Sequence, residues 1–332
     1  MRRLLVSLVV GLVVLAGCAG DDDAAPDSTS TTAADATTTS VPLAPPTVDE
    51  LLAGDRVLDI PHAGGDQDFP HSTMYAFAES VAAGADVLEF DIWTTADDVV
   101  VVHHDADTAK TTPESLVVAE TDLATLQELD KAYWFSPECW PCQDRPEEEY
   151  VFRGIRTGDV APPEGYTPDD FRLVTLEELS ERFPEIPFDI EIKGEGDIGV
   201  RNAEALAAAL DDLGRTDSTV VVSFDSAVIA AFHEAAPDVA TSPGVAEMTA
   251  WLLEGEPLAA HHRVVQVPPV YSGVEVLTEE SIARAHADGL AIWVWMDTPS
   301  EQENEDFYRT LVAMDIDGII AGRPGAARRA ID

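Results

Sequence analysis

Two carboxylates and a pair of histidines have the types and spacing that metal-assisted acid/base chemistry requires. Glu89 and Asp91 stand two residues apart in a β-rich run, so they face the same side of a strand and can hold a divalent cation. The run 87–92 is otherwise apolar on both faces, where carboxylates are costly unless they are paired or metal-bound. His103 and His104 end the next apolar run and could supply acid/base chemistry beside the cation. We therefore predict a functional site here rather than a solvated strand face.

Short apolar runs alternate with helical patterns along most of the 332-residue chain, which is long enough for one large barrel or two medium domains. The predicted strands cover 56–62, 86–93, 187–193, 219–224, 238–242, 263–267, 291–296 and 318–321. The predicted helices cover 73–82, 202–213, 226–235, 279–287 and 301–312, and Thr175 with Glu178 resembles a capped helix start. Eight strands that alternate with helices favour an α/β fold, a closed parallel (β/α)8 TIM barrel.

The candidate residues fall near the carboxyl ends of the first three predicted barrel strands. His62 ends the first strand, Glu89 and Asp91 lie toward the end of the second, and Glu191 and Lys193 lie toward the end of the third. In such barrels these strand ends converge on one catalytic face. We therefore expect the five residues to meet in one site, although a single histidine at a strand end is more often a packing residue.

A long insertion is predicted between the second and third barrel strands, at about 108–173, because this stretch has no clear strand period. We interpret it as a lid or substrate-binding loop, with a small accessory subdomain as the alternative. Cys139 and Cys142 lie within it, in the sequence Cys-Trp-Pro-Cys. A local disulfide is the favoured interpretation outside the cell, because no second cysteine pair completes a four-thiolate zinc site.

The amino-terminal segment 1–18 has the features of an export signal. Two arginines precede an apolar run that is too short for an ordinary membrane helix, and Leu-Ala-Gly-Cys follows, ending at Cys18. This resembles a bacterial lipoprotein signal in which Cys18 is acylated; a plain signal peptide that is cut elsewhere is the alternative. We expect a lipid anchor that holds the protein outside the cytoplasmic membrane, an acidic and Thr-rich disordered tether over 19–48, and a folded domain over 49–332.

The charge balance excludes two classes of partner. The chain has 63 acidic and 19 basic residues, a formal net charge of −44. Binding of nucleic acid through a basic surface and docking of basic residues on anionic lipid are therefore not expected. No feature of the sequence requires a protein partner.

Five ordered motifs resemble those of the glycerophosphodiester phosphodiesterase family, a branch of the phospholipase C-like phosphodiesterases. The resemblance runs from about residue 56 to the carboxyl terminus. The motifs are His62-Ala63-Gly64, Pro70-His71-Ser72-Thr73, Glu89-Phe90-Asp91, His103-His104-Asp105 and Glu191-Ile192-Lys193, with Ser223-Phe224-Asp225 and Arg323-Pro324 as later matches.

The resemblance implies a TIM barrel that hydrolyses glycerophosphodiesters to an alcohol and glycerol 3-phosphate. It implies metal ligands at Glu89, Asp91 and Glu191 for Ca2+ or Mg2+, which suit carboxylate oxygens. It also implies His62 and His104 as the acid/base pair and a phosphate contact for Lys193, whereas His103 is expected to be structural. The alternatives are a phosphodiesterase for intact phospholipid or cell-wall polymer, and a non-catalytic lipoprotein that binds a phosphorylated ligand.

Two departures from the family pattern concern phosphate binding. Ala63 stands where the family has arginine, and His71 stands where it has glutamate. Losing both members of a charge pair avoids one unpaired buried charge, but phosphate affinity should fall. We hypothesise that Arg153 or Arg156 on the insertion replaces the missing arginine.

Overall fold

The computed structural model describes residues 44–332, so the predicted leader 1–18 with Cys18 and the tether up to residue 43 lie outside the described residues. The strands are β1 (Leu58–Pro61), β2 (Leu88–Thr94), β3 (Val100–Val102), β4 (Val174–Thr175), β5 (Phe188–Ile192), β6 (Thr219–Val222), β7 (Ala240–Thr241), β8 (Val264–Val267), β9 (Val270–Tyr271), β10 (Val274–Glu275), β11 (Ala291–Trp295) and β12 (Gly318–Ala321). The α-helices are α1 (Val48–Leu52), α2 (Met74–Ala83), α3 (Leu123–Leu126), α4 (Leu176–Arg182), α5 (Gly196–Asp212), α6 (Ser226–Ala235), α7 (Val245–Thr249), α8 (Glu279–Ala287), α9 (Pro299–Gln302), α10 (Glu305–Val312) and α11 (Pro324–Ile331). A π-helical segment covers Ala250–Glu254, and single 3-10 turns cover His62–Gly64, Val118–Glu120, Glu147–Glu149, Pro168–Phe171 and Thr216–Ser218.

Eight parallel strands follow one another around a barrel. β1, β12, β11 and β8 pair in one sheet, and β2, β5, β6 and β7 pair in the other, which β3 and β4 extend with antiparallel pairing. The sheets meet between β1 and β2, where Asp86 N donates to Asp59 O at 2.9 Å, and between β7 and β8, where Arg263 N donates to Thr241 O at 2.9 Å. All eight predicted barrel strands are confirmed, and so is the TIM-barrel fold.

An apolar layer fills the amino-terminal end of the barrel. It is formed by Leu58, Ile60, Val87, Val220, Val264, Trp293 and Ile320, with Val48 of α1 packed against them. Thr47 caps α1 through a reciprocal pair of hydrogen bonds with Glu50, and Asp49 pairs with Arg263 before β8. Because Val48 is buried, the folded domain begins by Thr47, slightly before the predicted boundary at residue 49.

The predicted helices are present, with two differences at their ends. The predicted helix 301–312 is two helices, because Glu303 is buried with its carboxylate on Tyr308 Oη and Gly322 N, and Asn304 then caps α10. α5 begins at Gly196, earlier than predicted, since the polar first turn hides its start in the sequence. No helix within 44–332 has the combined length and apolar character that crossing a membrane requires.

Gly199 lies where α5 packs closely on α6, and this contact gives a test of the packing. A methyl group on Gly199 would lie 2.5 Å from Val228 Cγ2 and 2.6 Å from Gly194 O. We expect Gly199→Ala to lower the free energy of unfolding by about 1–3 kcal/mol, although alanine favours helix. Gly325 in α11 has only Arg329 Nη1 near, at 3.6 Å, so Gly325→Ala should be neutral or stabilising. Urea denaturation of both variants measures the difference, and equal losses would contradict the close contact.

The seam between β7 and β8 contains three adjacent histidine rings. His262 Nδ1 lies 2.9 Å from Thr241 Oγ1, and the ring of His262 is 4.1 Å from that of His261, which stacks at 3.7 Å on His233. Burial and the two neighbouring histidines lower the pKa of His262 to about 4. His262 is therefore neutral in the folded protein at pH values where an exposed histidine is charged.

This seam predicts a loss of stability in mild acid. The unfolded-state pKa of histidine is near 6.5, so between pH 6.5 and 4 the unfolded chain binds more protons than the native protein. Acidification across this window should therefore lower the free energy of unfolding by up to about 3 kcal/mol through His262 alone. Urea denaturation at several pH values measures the slope, which His262→Gln should reduce. His286→Gln is the control, because His286 is exposed and lies outside the seam; equal slopes in the two variants would contradict the prediction.

The insertion between β3 and β4 packs as a layer of aromatic rings against α2. Tyr75 of α2 stacks on Phe171 at 4.9 Å and contacts Phe152 and Tyr166. A disulfide joins Cys139 and Cys142. The insertion thus has its own small core, formed by Tyr75, Ala132, Ile155 and Phe171.

The hypothesis that Arg153 or Arg156 replaces the missing family arginine is wrong in this structure. Arg153 lies over the rings of Tyr133 and Tyr150, at 4.1 and 4.0 Å, and its Nε donates to Tyr133 O. Arg156 donates to Gln127 O and pairs with an aspartate of the insertion. Aromatic faces and carbonyl oxygens inside the insertion therefore engage both guanidinium groups.

Candidate active site

Four carboxylates face one another inside the barrel because β2 and β5 are neighbouring parallel strands. Their register places Glu89 beside Asp189 and Asp91 beside Glu191. Asp189 accepts a hydrogen bond from Gln266 Nε2 of β8 at 2.8 Å, across the barrel. The sequence analysis predicts three of these four acids and misses Asp189. Asp189 stands two residues before Glu191 on β5, and this spacing, which puts both side chains on the same face of the strand, was a signal for it.

Lys193 lies between the two outermost carboxyl groups, those of Asp91 and Glu191. Its Nζ lies 2.9 Å from Asp91 Oδ1 and 2.6 Å from Glu191 Oε1. Burial alone would raise the pKa of Asp91, but Lys193 and the nearby histidines outweigh burial and hold this pKa below its usual range. The same two carboxylates raise the pKa of Lys193 against the effect of burial. Lys193 is thus a buried cation between two carboxyl groups, of which Glu191 has its pKa raised by burial although Lys193 opposes this effect.

No lysine or arginine within 44–332 forms an ion pair with the inner carboxylates, Glu89 and Asp189. Burial raises the pKa of Asp189 to about 8. Burial also raises the pKa of Glu89 well above its usual value, and the neighbouring Asp91 adds to this effect although His62 opposes it. Crowded acids with raised pKa values are typical of sites that bind a cation or a proton.

His62 lies at the carboxyl end of β1, next to Glu89. Its Nδ1 is 3.2 Å from Asp66 Oδ1, and the following backbone N–H, of Ala63, donates to Glu89 Oε2 at 2.6 Å. Burial would lower the pKa of His62, but Asp66 and Glu89 outweigh it and raise this pKa well above its usual value. The imidazolium form is therefore favoured, with Nε2 available as a proton donor. Asp66 was not identified from the sequence, where only its i+4 spacing from His62 pointed to it.

His104 follows β3 and is held from both sides. Its Nδ1 lies 2.9 Å from Asp105 Oδ1, and its backbone carbonyl accepts from Trp93 Nε1 at 3.0 Å. Lys110 Nζ in turn lies 3.8 Å from Asp105 Oδ2. A carboxylate on Nδ1 fixes that nitrogen as the donor, which leaves Nε2 as the proton acceptor. Asp105 thus orients His104.

His71 lies between the two candidate catalytic histidines. Its ring centroid is 6.3 Å from that of His62 and 5.9 Å from that of His104, with both contacts edge-on. Its Nδ1 is 2.8 Å from Ser72 Oγ, and Trp140 of the insertion packs 6.0 Å away. Burial lowers the pKa of His71 well below its usual value. The residue that replaces the family glutamate is therefore neutral, which matches the loss of the arginine at Ala63.

His103 does not line the cavity, and both nitrogens of its ring are bonded to other groups. Its Nδ1 accepts from Lys131 Nζ at 2.9 Å, and its Nε2 lies 2.9 Å from Asp107 O. Burial, with Lys131 nearby, lowers the pKa of His103 to about 3. These contacts fit the structural role expected for it.

The metal prediction fits the donor chemistry of the site but not its present side-chain arrangement. Carboxylate oxygens are the ligands that Ca2+ and Mg2+ prefer. Within 44–332, Oδ2 of the buried Asp91 has no hydrogen-bond partner, whereas its Oδ1 lies 2.9 Å from Lys193 Nζ. Within the same residues, however, no three Asp, Glu, His or Cys side chains converge closely enough to hold an ion. The Lys193 ammonium lies between Asp91 and Glu191, and Glu89 bonds the Ala63 backbone. A cation would therefore have to compete with Lys193.

A cavity of about 540 Å³ opens over these residues. His62, His104, Glu89, Glu191 and Lys193 line one end of it, so the structure brings together all the predicted acid/base, phosphate-binding and metal residues except Asp91, which lies beneath Lys193. Within the part of the chain that the structure describes, no residue of the insertion 108–173 lines the cavity. The expected lid therefore does not form its wall; the loops after β6, β7, β8 and β11 do.

Comparison with known proteins assigns this arrangement to a family. The model of the glycerophosphoryl diester phosphodiesterase family matches residues 62–326. The chain belongs to this family. The predicted resemblance is thereby confirmed, and the protein is a phosphoric diester hydrolase of the glycerophosphodiester phosphodiesterase type. Enzymes of this family generally use a divalent cation.

Individual relatives are similar over different shares of their length. A glycerophosphodiester phosphodiesterase of Bacillus subtilis is 25% identical over 286 residues, which are 82% of this chain and 86% of that enzyme. Human lysophospholipase D GDPD3 is 29% identical over 181 residues, 54% of this chain; the chain spans about half of that protein, 49%. A phosphodiesterase of Oleispira antarctica, solved with its product sn-glycerol-3-phosphate, shares the fold with a TM-score of 0.62 at 16% identity, over 85% of this chain and 99% of the other.

Proposed function

We propose that this protein hydrolyses glycerophosphodiesters to an alcohol and glycerol 3-phosphate at the mouth of its barrel, with His62 and His104 as the acid/base pair. One observation carries the proposal: both side chains, 35% and 36% exposed, line the same cavity as the carboxylates and Lys193. Two imidazoles whose Nδ1 atoms each lie beside a carboxylate, close to a cation that attracts phosphate, meet the needs of phosphodiester cleavage.

The proton transfers follow from the partners of each ring. His104 Nε2 accepts the proton of the glycerol 2-hydroxyl as that oxygen attacks phosphorus. The bond from phosphorus to the alcohol oxygen breaks, and His62 Nε2 donates its proton to that oxygen. Water then opens the cyclic phosphate with the two histidine roles reversed, which yields glycerol 3-phosphate and restores both rings. Asp105 and Asp66 keep the Nδ1 atoms engaged, so that each ring works through Nε2.

The proposed metal ligands are Glu89, Asp91 and Glu191, for Ca2+ or Mg2+. A bound divalent cation would neutralise charge on the phosphate oxygens and lower the pKa of an attacking hydroxyl. Lys193 contributes a positive charge beside the phosphate, as a point charge on a flexible stem. The crowded carboxylates, and Asp91 Oδ2, which has no hydrogen-bond partner among the described residues, support this assignment.

Product release from glycerophosphocholine, measured in Ca2+, Mg2+ or EDTA, tests the proposed reaction. We expect turnover that EDTA abolishes, and we expect Glu89→Gln and Glu191→Gln to lose both turnover and metal affinity, the latter measured by calorimetry. Turnover in EDTA would contradict the metal assignment. Metal binding without turnover of any phosphodiester would support a non-catalytic ligand-binding role, whereas activity on lipid or polymer alone would support the alternative substrates.

We also propose that Cys18 is acylated and anchors the protein to the outer face of the cytoplasmic membrane. The support is the Leu-Ala-Gly-Cys sequence after an apolar run of export-signal length. Cells that express the protein should incorporate radiolabelled palmitate into it, and Cys18→Ala should remove the label. Labelling that persists in Cys18→Ala would contradict the anchor.

A further inference from the structure

The mouth of the barrel is divided into a polar half and an apolar half. The acids, the histidines and Lys193 come from β1, β2, β5 and the loop after β3. The opposite wall of the same cavity comes from the segments that follow β6, β7, β8 and β11, within 222–299. No residue of 222–299 that lines the cavity is charged. In a chain in which 25% of residues are charged, this wall is unusual.

Two elaborations of the barrel loops build the apolar wall. After β7 the chain forms α7 and the π-helical segment, which contribute Val245, Met248 and Leu252 to the cavity. After β8 it forms the β9–β10 hairpin, which contributes Tyr271 and Val274. Trp295, the last residue of β11, and Met296, which follows it, complete the wall. An aliphatic and aromatic lining of this kind binds hydrocarbon rather than a sugar or a polar headgroup.

Part of this apolar wall is exposed to solvent at the mouth of the cavity. Half of the large apolar side chains that are exposed within 44–332 lie at this rim: Phe224, Leu253, Val270 and Val274. Leu253 is 68% exposed, so its side chain is mostly in water. Exposed apolar side chains at the mouth of a pocket are typical of a site that binds an apolar ligand.

We propose that this groove, which consists of the residues of 222–299 that line the cavity, including the exposed Leu253, binds the single hydrocarbon chain of the substrate. The substrate class is then a one-chain phosphodiester such as a lysophospholipid. The proposal rests on the proposed function, because it places the phosphate at His62 and His104. The occupant follows from continuity: the groove opens directly onto Lys193 and Glu191, so a chain lying in it leads its own phosphate to the acid/base pair. A cavity of about 540 Å³ is the size that suits one small amphiphile.

A chain-length series tests the groove. The substrates are glycerophosphocholine and 1-acyl glycerophosphocholines with acyl chains of four, six, eight and ten carbons, each below its micelle-forming concentration. We expect kcat/KM to rise with every added methylene, by up to about four-fold each, until the groove is filled. A diacyl glycerophosphocholine is not part of this series, because its second ester blocks the 2-hydroxyl that attacks phosphorus in the proposed reaction.

Leu253→Asp should reduce the preference for the chain. This residue is highly exposed, so the variant should fold, and the ratio of kcat/KM for the ten-carbon substrate to that for glycerophosphocholine should fall at least ten-fold. The matched control is Val151→Asp, an exposed valine of the insertion, which should leave the ratio unchanged. Both variants are compared with the unaltered protein by thermal unfolding.

The outcomes separate the two levels of the proposal. Turnover of glycerophosphocholine with no dependence on chain length, or with the same ratio in Leu253→Asp, overturns the groove and leaves the proposed function intact. Silence on every substrate, with the protein folded, overturns both. Turnover of acyl substrates alone, sensitive to Leu253→Asp, supports the groove and restricts the enzyme to lipid substrates.

Discussion

Replacing His104 with alanine is expected to lower kcat for glycerophosphocholine by about 10²–10⁴-fold, the usual contribution of a general acid or base. The fold and the metal affinity should not change, because the ring is 36% exposed and its only polar side-chain partner among residues 44–332 is Asp105, which is itself partly exposed. Steady-state kinetics, calorimetric titration with Ca2+ or Mg2+ and thermal unfolding measure the three quantities separately. His62→Ala should have an effect of similar size on kcat.

The control for this experiment is His286→Ala. His286 is 35% exposed and pairs with Asp317 at 3.0 Å, so it matches the exposure and the carboxylate partner of His104, but it lies at the amino-terminal end of the barrel strands. A loss of kcat below ten-fold in His104→Ala, or a comparable loss in His286→Ala, would remove His104 from the acid/base pair.

The barrel strands could be predicted because each is a short apolar run bounded by polar or turn-forming residues. Glu89, Asp91, Glu191 and Lys193 were then placed together by one general rule, that the carboxyl ends of parallel strands converge. The register that sets Asp91 beside Glu191 follows from the adjacency of β2 and β5, and it required only that the insertion return the chain to the next barrel position.

The position of His71 could not be predicted in the same way. It lies in a turn with no period of its own, and it comes between His62 and His104 only because the turn after β1 and the turn after β3 meet at the barrel mouth. The motif comparison identified the substitution at residue 71, but its neutral state depends on burial, which a loop sequence does not reveal.

The source of the cavity wall was also missed. The insertion 108–173 drew attention by its length, yet its aromatic residues form a small core of their own and enclose Arg153. The segment 243–276 carries the apolar wall, but its Leu252-Leu253 and valines have neither the period of a strand nor that of a long amphipathic helix. These side chains line one wall because a π-helical segment and a short hairpin, β9–β10, bring them together. Neither element has a residue period that the sequence reveals.

Lys193→Met is expected to lower the free energy of unfolding by about 3–5 kcal/mol in EDTA, because it leaves the buried Asp91 and Glu191 without their cation. A divalent cation should restore a large part of this loss, since a metal bound by the two carboxylates replaces the missing positive charge. The stabilisation by Mg2+ or Ca2+ should therefore be larger in Lys193→Met than in the unaltered protein, where the ion must displace the ammonium group. Turnover should still fall, because the charge beside the phosphate is absent.

Urea denaturation in EDTA and in millimolar Mg2+ or Ca2+ measures this exchange between ammonium and metal. Lys110→Met is the control, because Lys110 is partly exposed and only 3.8 Å from Asp105, a pair that should contribute at most about 1 kcal/mol. If the stability that Lys193→Met loses in EDTA is not regained in either metal, the cation does not bind at Asp91 and Glu191. If the stability is regained, Asp91 and Glu191 bind either the Lys193 ammonium or a metal ion. Lys193 is then free to contact phosphate only when the metal is bound.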